Sequence, residues 1–196
     1  MATDAGPWGD PRYAGPWPLA IPQARAELQG YLSAATVPGL ASKQSLCPAW
    51  TVGQVTAHLG ATFARFADQL ARSRGGDLSP PFAPDGLTAE NLRAVAAFTG
   101  DPVQALRAEA ARFLGMVTDP AEPMGHQRGT IPAGLQVLFG LNELAVHHYD
   151  VTVPFGSGYR PPDPVLDLLL DMFGRIGALP GGADPWHRIL RLSGRS

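Results

Sequence analysis

A carboxylate and an imidazole stand four residues apart in the apolar segment IPAGLQVLFGLNELAVHHYD, at Glu143 and His147. If this segment is helical, both side chains lie on one face, roughly 5–6 Å apart at Cβ, and could bind one cation. A third ligand type, His58, stands much earlier in another apolar segment. Two imidazoles and a carboxylate make a three-ligand site with open positions for water or substrate, as in catalytic metal centres.

The surroundings of Glu143 in the sequence also bear on its role. Its neighbours between residues 138 and 146 are almost all apolar, which predicts a helix buried on most sides. A buried carboxylate must be protonated, paired with a cationic side chain or bound to a metal, because an unpaired charge there is costly. The nearest charged residues are Arg128, before the segment, and Asp150, after it. Metal binding is the simplest of these three interpretations.

Four further polar residues near these positions each allow more than one role. Asp150 could orient the His147 imidazole, or it could cap the helix end or face solvent. Arg128 could bind an anionic substrate group bidentately, or it could be a solvated loop residue. His148 is turned away from the ligand face and is expected in a supporting or surface position. Cys47 precedes a proline, and no residue near it in the sequence would activate it, so we assign it no nucleophilic role.

Composition and charge exclude several classes of function. The 196 residues fit a single domain, and the formal net charge of −2 gives no electrostatic footprint for nucleic acid or anionic lipid. The single cysteine forms no internal disulfide. The N-terminus lacks the pattern of a signal peptide, and no apolar run approaches the ~20 residues of a membrane span. We therefore expect a cytoplasmic protein with a small-molecule substrate, without nucleic-acid or membrane partners and without an indicated oligomeric state.

The spacing of apolar residues predicts helices and no convincing strand. Residues 1–21 are rich in Gly, Pro and Trp and are predicted to form an irregular N-terminal arm, followed by one helical domain over residues 22–196. Helices are predicted at about residues 22–35, 52–74, 87–99, 102–117, 134–150 and 164–178, with a loop at 118–134. The fold class is all-α, a four-helix bundle core with extra short helices, in which inward side chains on facing helices build a metal site.

Two motifs resemble those of a known family. CPAWTVGQVTAHLG, from Cys47 to Gly60, resembles the Cys-Pro-Gly-Trp-Thr-Val…His-Leu signature of the DinB-like superfamily. More closely, it is similar to the metal-binding domain of mycothiol-dependent maleylpyruvate isomerases. NELAVHHYDV resembles the second signature, Glu-Leu-x-Val-His-x-x-Asp, and the closing DPWHRILRLSGR is similar to the tail of single-domain members.

The resemblance implies a bundle that holds a divalent metal ion, most often zinc, with nickel or iron also compatible. His58, Glu143 and His147 match the three ligands. It further implies an enzyme that activates a low-molecular-weight thiol, with mycothiol as the expected cosubstrate, for S-transfer to, or isomerisation of, a small electrophile. Maleylpyruvate isomerases carry a second, C-terminal domain, whereas we expect a single-domain member here. The alternatives are a thiol-independent metal-dependent hydrolase, lyase or isomerase, and a non-catalytic bundle that binds a small molecule.

Overall fold

The protein is a helical bundle with one small hairpin. The computed structural model describes residues 17–83, 85–176, 179–182 and 184–195. Within these ranges it contains seven α-helices and one two-stranded antiparallel sheet. In chain order these are α1 (Trp17–Ala35), α2 (Val52–Arg74), α3 (Leu87–Ala97), α4 (Pro102–Met116), β1 (Pro123–His126), β2 (Gly129–Pro132), α5 (Ala133–Thr152), α6 (Asp163–Arg175) and α7 (Pro185–Leu192). No helix in these ranges is long and apolar enough to cross a bilayer. The predicted all-α fold class is confirmed.

Side-chain caps fix where two of the central helices begin. The Thr51 hydroxyl accepts a hydrogen bond from the Gln54 N–H, and the Gln54 side chain accepts one from the Thr51 N–H, which is the predicted capping box. Asp101 caps α4 by accepting from two backbone N–H groups, with Pro102 in the first turn. The cap at Thr51 fixes the start of α2, the helix that carries His58.

Four long helices form the core of the bundle. Helix α1 packs mainly on α5, and α2 packs mainly on α4. Small residues allow the closest approaches: a Cβ on Gly60 would lie 3.3 Å from the Leu106 backbone nitrogen, and one on Gly140 would lie 3.1 Å from the Phe63 ring. Because α2 and α5 come this close at Gly140, polar groups farther along the two helices are brought face to face.

A β-hairpin stands where the sequence predicted only a loop at 118–134. Four residue pairs, from Pro123 opposite Pro132 to His126 opposite Gly129, form the ladder. Gly129 has φ near +109°, a backbone conformation that residues other than glycine rarely adopt. The strands are too short, and too rich in Gly and Pro, to show a period of two. The loop prediction was wrong for these eight residues.

The two ends of the described chain also differ from the prediction. Helix α1 begins at Trp17 with Pro22 inside it, so the last five residues of the predicted arm are helical. The earlier residues of that arm, 1–16, lie outside the described residues. The error came from placing the helix start at Pro22, because proline favours the first turn. Helix α7 was not predicted, because eight residues are too few for a periodic pattern.

Candidate metal centre

The three predicted ligands meet between α2 and α5. Nε2 of His58 lies 3.4 Å from Oε2 of Glu143, and Nε2 of His147 lies 3.6 Å from the same oxygen. One ligand atom from each residue lies within 4.8 Å of the other two, so the group could hold a metal ion. Both imidazoles are buried, whereas the Glu143 side chain is 34% exposed. The carboxylate is therefore the part of the group that is open to small molecules.

Asp150 fixes the orientation of His147. Its Oδ2 lies 2.8 Å from Nδ1 of His147, and the Asp150 side chain is fully buried. An ionised Asp150 accepts a hydrogen bond from Nδ1–H, which leaves Nε2 of His147 directed at Glu143. This contact agrees with the first of the roles predicted for Asp150, that of orienting the imidazole as carboxylates behind metal-binding histidines usually do, and the role itself stays a prediction.

His58 is held by packing on an aromatic ring. The indole of Trp50 stacks on its imidazole with ring centroids 4.9 Å apart and an interplanar angle of 29°. Burial lowers the pKa of His58, and this outweighs the opposing effect of the hydrogen bond to Glu143. The neutral imidazole that results is the form that binds metal ions. Trp50, which stands just before α2, therefore forms one wall of the site.

The pKa values of Glu143, His147 and Asp150 are all shifted from their usual ranges. Burial raises the pKa of Glu143, but hydrogen bonds from His147 and His58 outweigh it and hold that pKa below its usual range. Burial lowers the pKa of His147, yet hydrogen bonds to Asp150, Cys47 and Glu143 hold it well above its usual range. The pKa of Asp150 falls to about 2, because hydrogen bonds from His147 and Arg195 outweigh its burial. Without a metal, these contacts thus favour the charged forms of all three groups.

Cys47 and Arg195 belong to the site, which the sequence did not indicate. The Cys47 thiol lies 3.1 Å from Oδ2 of Asp150 and 3.8 Å from Nδ1 of His147. Arg195 donates to both Asp150 oxygens, at 3.1 Å and 2.5 Å, and lies 3.4 Å from the Cys47 sulfur. The sequence could not place Cys47 at the site, because these contacts join residues far apart in the chain; that Cys47 has no nucleophilic role stays a prediction.

Cys47, His147 and Asp150 also lie close enough together to hold a metal ion. This second grouping is the less suitable one. Oδ2 of Asp150 already accepts hydrogen bonds from Cys47, His147 and Arg195. A cation there would also face the guanidinium of Arg195, whose like charge repels it. His58, Glu143 and His147 face no such cation at hydrogen-bonding distance among the described residues.

Two cavities converge on the centre from different sides. One, of about 510 Å³, extends along α2 and α5 towards the hairpin, and the other, of about 520 Å³, opens between the Cys47–Trp50 loop and α3. His58, Glu143 and His147 line both. Arg128 lies exposed in the hairpin turn at the rim of the first cavity, and its predicted contact with an anionic group stays a prediction.

His148 lies away from the centre, as its position on the helix predicted. Its Nδ1 is 2.6 Å from Oε1 of Glu27 on α1, and its ring stacks on Tyr159. The Tyr159 hydroxyl donates to the same Glu27 oxygen at 2.5 Å. Burial and the adjacent Glu27 charge raise the pKa of Tyr159. This polar cluster joins α1 to α5 within the bundle, and His148 is a structural partner of Glu27 rather than a surface group.

Comparisons with known proteins agree with this arrangement. Residues 21–152 match the family model of the mycothiol maleylpyruvate isomerase N-terminal domain. Crystal structures of the mycothiol-dependent maleylpyruvate isomerase and of a histidine-to-alanine mutant of it each have a TM-score of 0.61. Each is 16% identical in sequence, over 80% of this chain and 69% of the other. A comparison with curated proteins gave no significant match. The predicted family and fold are confirmed.

Proposed function

This chain belongs to the mycothiol maleylpyruvate isomerase N-terminal domain family, and we propose that it is a metal-dependent enzyme acting on a small electrophilic metabolite with a low-molecular-weight thiol as cosubstrate. His58, Glu143 and His147 are the proposed ligands of a divalent metal ion. The observation that carries the proposal is the convergence of these three side chains within 4.8 Å, at the meeting point of two cavities.

The donor set fits a divalent cation of the zinc type. Two imidazole nitrogens and one carboxylate oxygen are ligands that zinc, nickel and iron accept, and three protein ligands leave positions open. His147 has its outer nitrogen engaged by Asp150, which holds Nε2 towards Glu143. The partly exposed Glu143 carboxylate faces the cavities, so small molecules have access to the same point.

When bound at such a site, a divalent metal ion lowers the pKa of a coordinated thiol and so supplies its nucleophilic thiolate form. The remaining functions fall to the chain itself. Asp150 and Arg195 hold the His147 imidazole in one tautomer and one orientation. The stacked Trp50 does the same for His58 by packing. The two cavities allow the thiol and the electrophile to approach the centre from different sides.

Mycothiol is the proposed thiol, by analogy with the mycothiol-dependent isomerase whose fold this chain shares. The proposed reaction is S-transfer to the electrophile or thiol-assisted isomerisation of it. In both, the thiolate forms a carbon–sulfur bond to a double-bonded carbon of the electrophile as the π bond breaks and its electron pair moves to the adjoining atoms. In isomerisation that electron pair re-forms the double bond and the thiolate is released, whereas in S-transfer the carbon–sulfur bond is kept and a proton is taken up.

The first experiment measures metal content by elemental mass spectrometry on protein purified without a chelating tag. We expect near-stoichiometric metal in the wild type and its loss in Glu143→Ala. Glu109→Ala is the matched control, because Glu109 lies on the surface of α4 and pairs only with Arg112 among the described residues. Wild-type protein that is metal-free and fails to take up added zinc, nickel or iron would refute the proposal.

The second experiment tests the role of the thiol. Metal-loaded protein is assayed with a panel of electrophiles, with and without mycothiol, and we expect turnover only when the thiol is present. Metal-dependent turnover without thiol would instead support a hydrolase, lyase or isomerase that uses an activated water or a polarised carbonyl. If His58→Ala lost ligand binding but no preparation showed turnover, a non-catalytic binding role would be favoured.

A further inference from the structure

Arg65 lies in the wall of the cavity that extends towards the hairpin, and its charge is only partly balanced by its neighbours. It stands seven residues after His58 on α2, which places it about 10 Å farther along the same helix face. Its Nη2 donates to the Thr62 hydroxyl at 3.2 Å and to Oδ1 of Asn91 at 3.1 Å. Its Nε and Nη1 make no hydrogen bond, and no carboxylate lies within 4 Å of it, among the described residues.

The guanidinium of Arg65 is partly buried, so the lack of hydrogen bonds at Nε and Nη1 requires an explanation. Burial lowers the pKa of Arg65, which shows that its charge is poorly solvated, although Glu143 and Glu90 oppose the effect at longer range. The ring of Phe82 lies 5.5 Å below the guanidinium and gives weak cation–π compensation. A desolvated cation with free donors is a binding point for an anion.

Two amide side chains in the same cavity are also without partners. Gln136, two helical turns before Glu143 on α5, is 2% exposed, and its side chain forms no hydrogen bond with any described residue. Oδ1 of Asn142 is buried without a partner in the same part of the chain. Buried amides are normally hydrogen-bonded, so the unpartnered amide of Gln136 in the cavity lining indicates that a polar ligand completes it.

Four aromatic rings also line this cavity. Phe66, Phe82, Phe139 and Phe173 line it between the metal centre and the hairpin. A ligand that spans from Glu143 to Arg65 would lie along these rings. Glu143 carries a negative charge of its own near Arg65. A ligand with one negative charge is therefore better balanced at Arg65 than a ligand with two negative charges. This favours a carboxylate over a phosphate dianion.

We propose that Arg65 is a specificity-determining residue that binds a carboxylate of the substrate, about two helical turns from the proposed ligand His58. The substrate class is then an acid with an apolar body, whose reactive end reaches the metal centre while its carboxylate is held at Arg65. The inference rests on the proposed function only in placing the substrate in this cavity.

The test compares a matched acid and amide, 4-phenylbutyrate and 4-phenylbutanamide, by isothermal titration calorimetry. It is done on zinc-free protein, in which the acid has no zinc to coordinate, and repeated on zinc-loaded protein. We expect the acid to bind about tenfold more tightly than the amide, as a charge-assisted hydrogen bond allows. Arg65→Gln, which keeps an N–H for Thr62 and Asn91, should abolish this preference. Because the zinc-free comparison needs no metal, it stands even if the metal proposal fails.

Two control variants separate Arg65 from other arginines. Arg93→Gln on α3 should keep the preference for the acid, because that side chain is 70% exposed and pairs with Glu90. Arg128→Gln tests the alternative, predicted from the sequence, that the hairpin arginine binds the anionic group. Loss of the preference in Arg128→Gln but not in Arg65→Gln would overturn the proposal in favour of the hairpin arginine. Should Arg65→Gln fail to fold, the wild-type comparison decides, because equal binding of acid and amide, or no binding of the acid at millimolar concentration, also overturns it.

Discussion

At the scale of single residues, the centre depends on a chain of contacts behind His147. Arg195 holds Asp150, and Asp150 holds the imidazole through Nδ1. The Cys47 thiol donates to the same Asp150 oxygen. None of these three residues is a proposed ligand, yet together they set the tautomer and the orientation of the proposed ligand His147. The quality of the metal site should therefore depend on residues that never touch the metal.

We predict that Asp150→Asn weakens zinc binding by about 10–100-fold, because the amide no longer stabilises the required His147 tautomer. The measurement is a competition titration against a chelator of known affinity at pH 7. Asp171→Asn is the matched control, since Asp171 pairs with Arg175 on the exposed face of α6. Equal losses in both variants would contradict the proposed contact.

The pH dependence gives a second readout of the same contact. The pKa of His147 is raised in the metal-free protein, so zinc must displace a proton, and affinity should fall as the pH decreases through that pKa. Replacing Asp150 removes a hydrogen bond that raises the pKa, so the fall should begin at a lower pH in Asp150→Asn. A fall that begins at the same pH in both proteins would show that Asp150 does not control this proton.

The residues of the site differ in whether the sequence alone could place them there. Glu143 and His147 could be predicted because a spacing of four fixes their proximity within one helix. His58 could be added only through the resemblance of its flanking motif to a known signature. Arg195 and Cys47 meet Asp150 only after the whole bundle has formed, and Arg65 is one of several arginines on α2. No local pattern distinguishes these three from surface residues.

At the scale of elements, the hairpin closes one end of the cavity that Arg65 lines. Gly125 of β1 donates its N–H to the Ser73 hydroxyl at the end of α2. A Cβ on Gly125 would lie 2.5 Å from the Gln69 amide and 2.8 Å from the Leu78 carbonyl oxygen. The sequence predicted a loop here because the Gly and Pro content hides the strands. The same glycine is what lets the hairpin approach α2.

We predict that Gly125→Ala lowers the free energy of unfolding by about 1–3 kcal/mol, because backbone at Leu78 must move to admit the methyl group. Chemical denaturation monitored by circular dichroism measures the change. Gly115→Ala in α4 is the matched control, since its Cβ would meet no atom within 4 Å. There alanine should raise stability by roughly 0.5–1 kcal/mol, as at an open helical position. Two changes of the same sign would contradict the packing described for β1.

At the scale of the whole molecule, the proposed metal joins two halves of the bundle. One ligand comes from α2 and two come from α5, while α1 and α4 pack mainly on α5 and α2 respectively. A bound cation would therefore link the two main helix pairs through one point. The large-scale fold was predictable from the amphipathic helices and the two family motifs, whereas α7, which brings Arg195 to the centre, was too short to be recognised.

We predict that zinc stabilises the folded protein through this link. An ion that binds only the folded state stabilises it by about 2.7 kcal/mol at a hundred times its dissociation constant. For a chain of this length that corresponds to a rise of roughly 5–10 °C in melting temperature. Differential scanning calorimetry with zinc and with a chelator should show the rise in the wild type and its loss in His58→Ala. His187→Ala is the control, because that side chain is 71% exposed on α7. If zinc raised the melting temperature of His58→Ala as much as that of the wild type, the stabilising zinc would bind elsewhere. The stability of the fold would then not depend on the proposed centre.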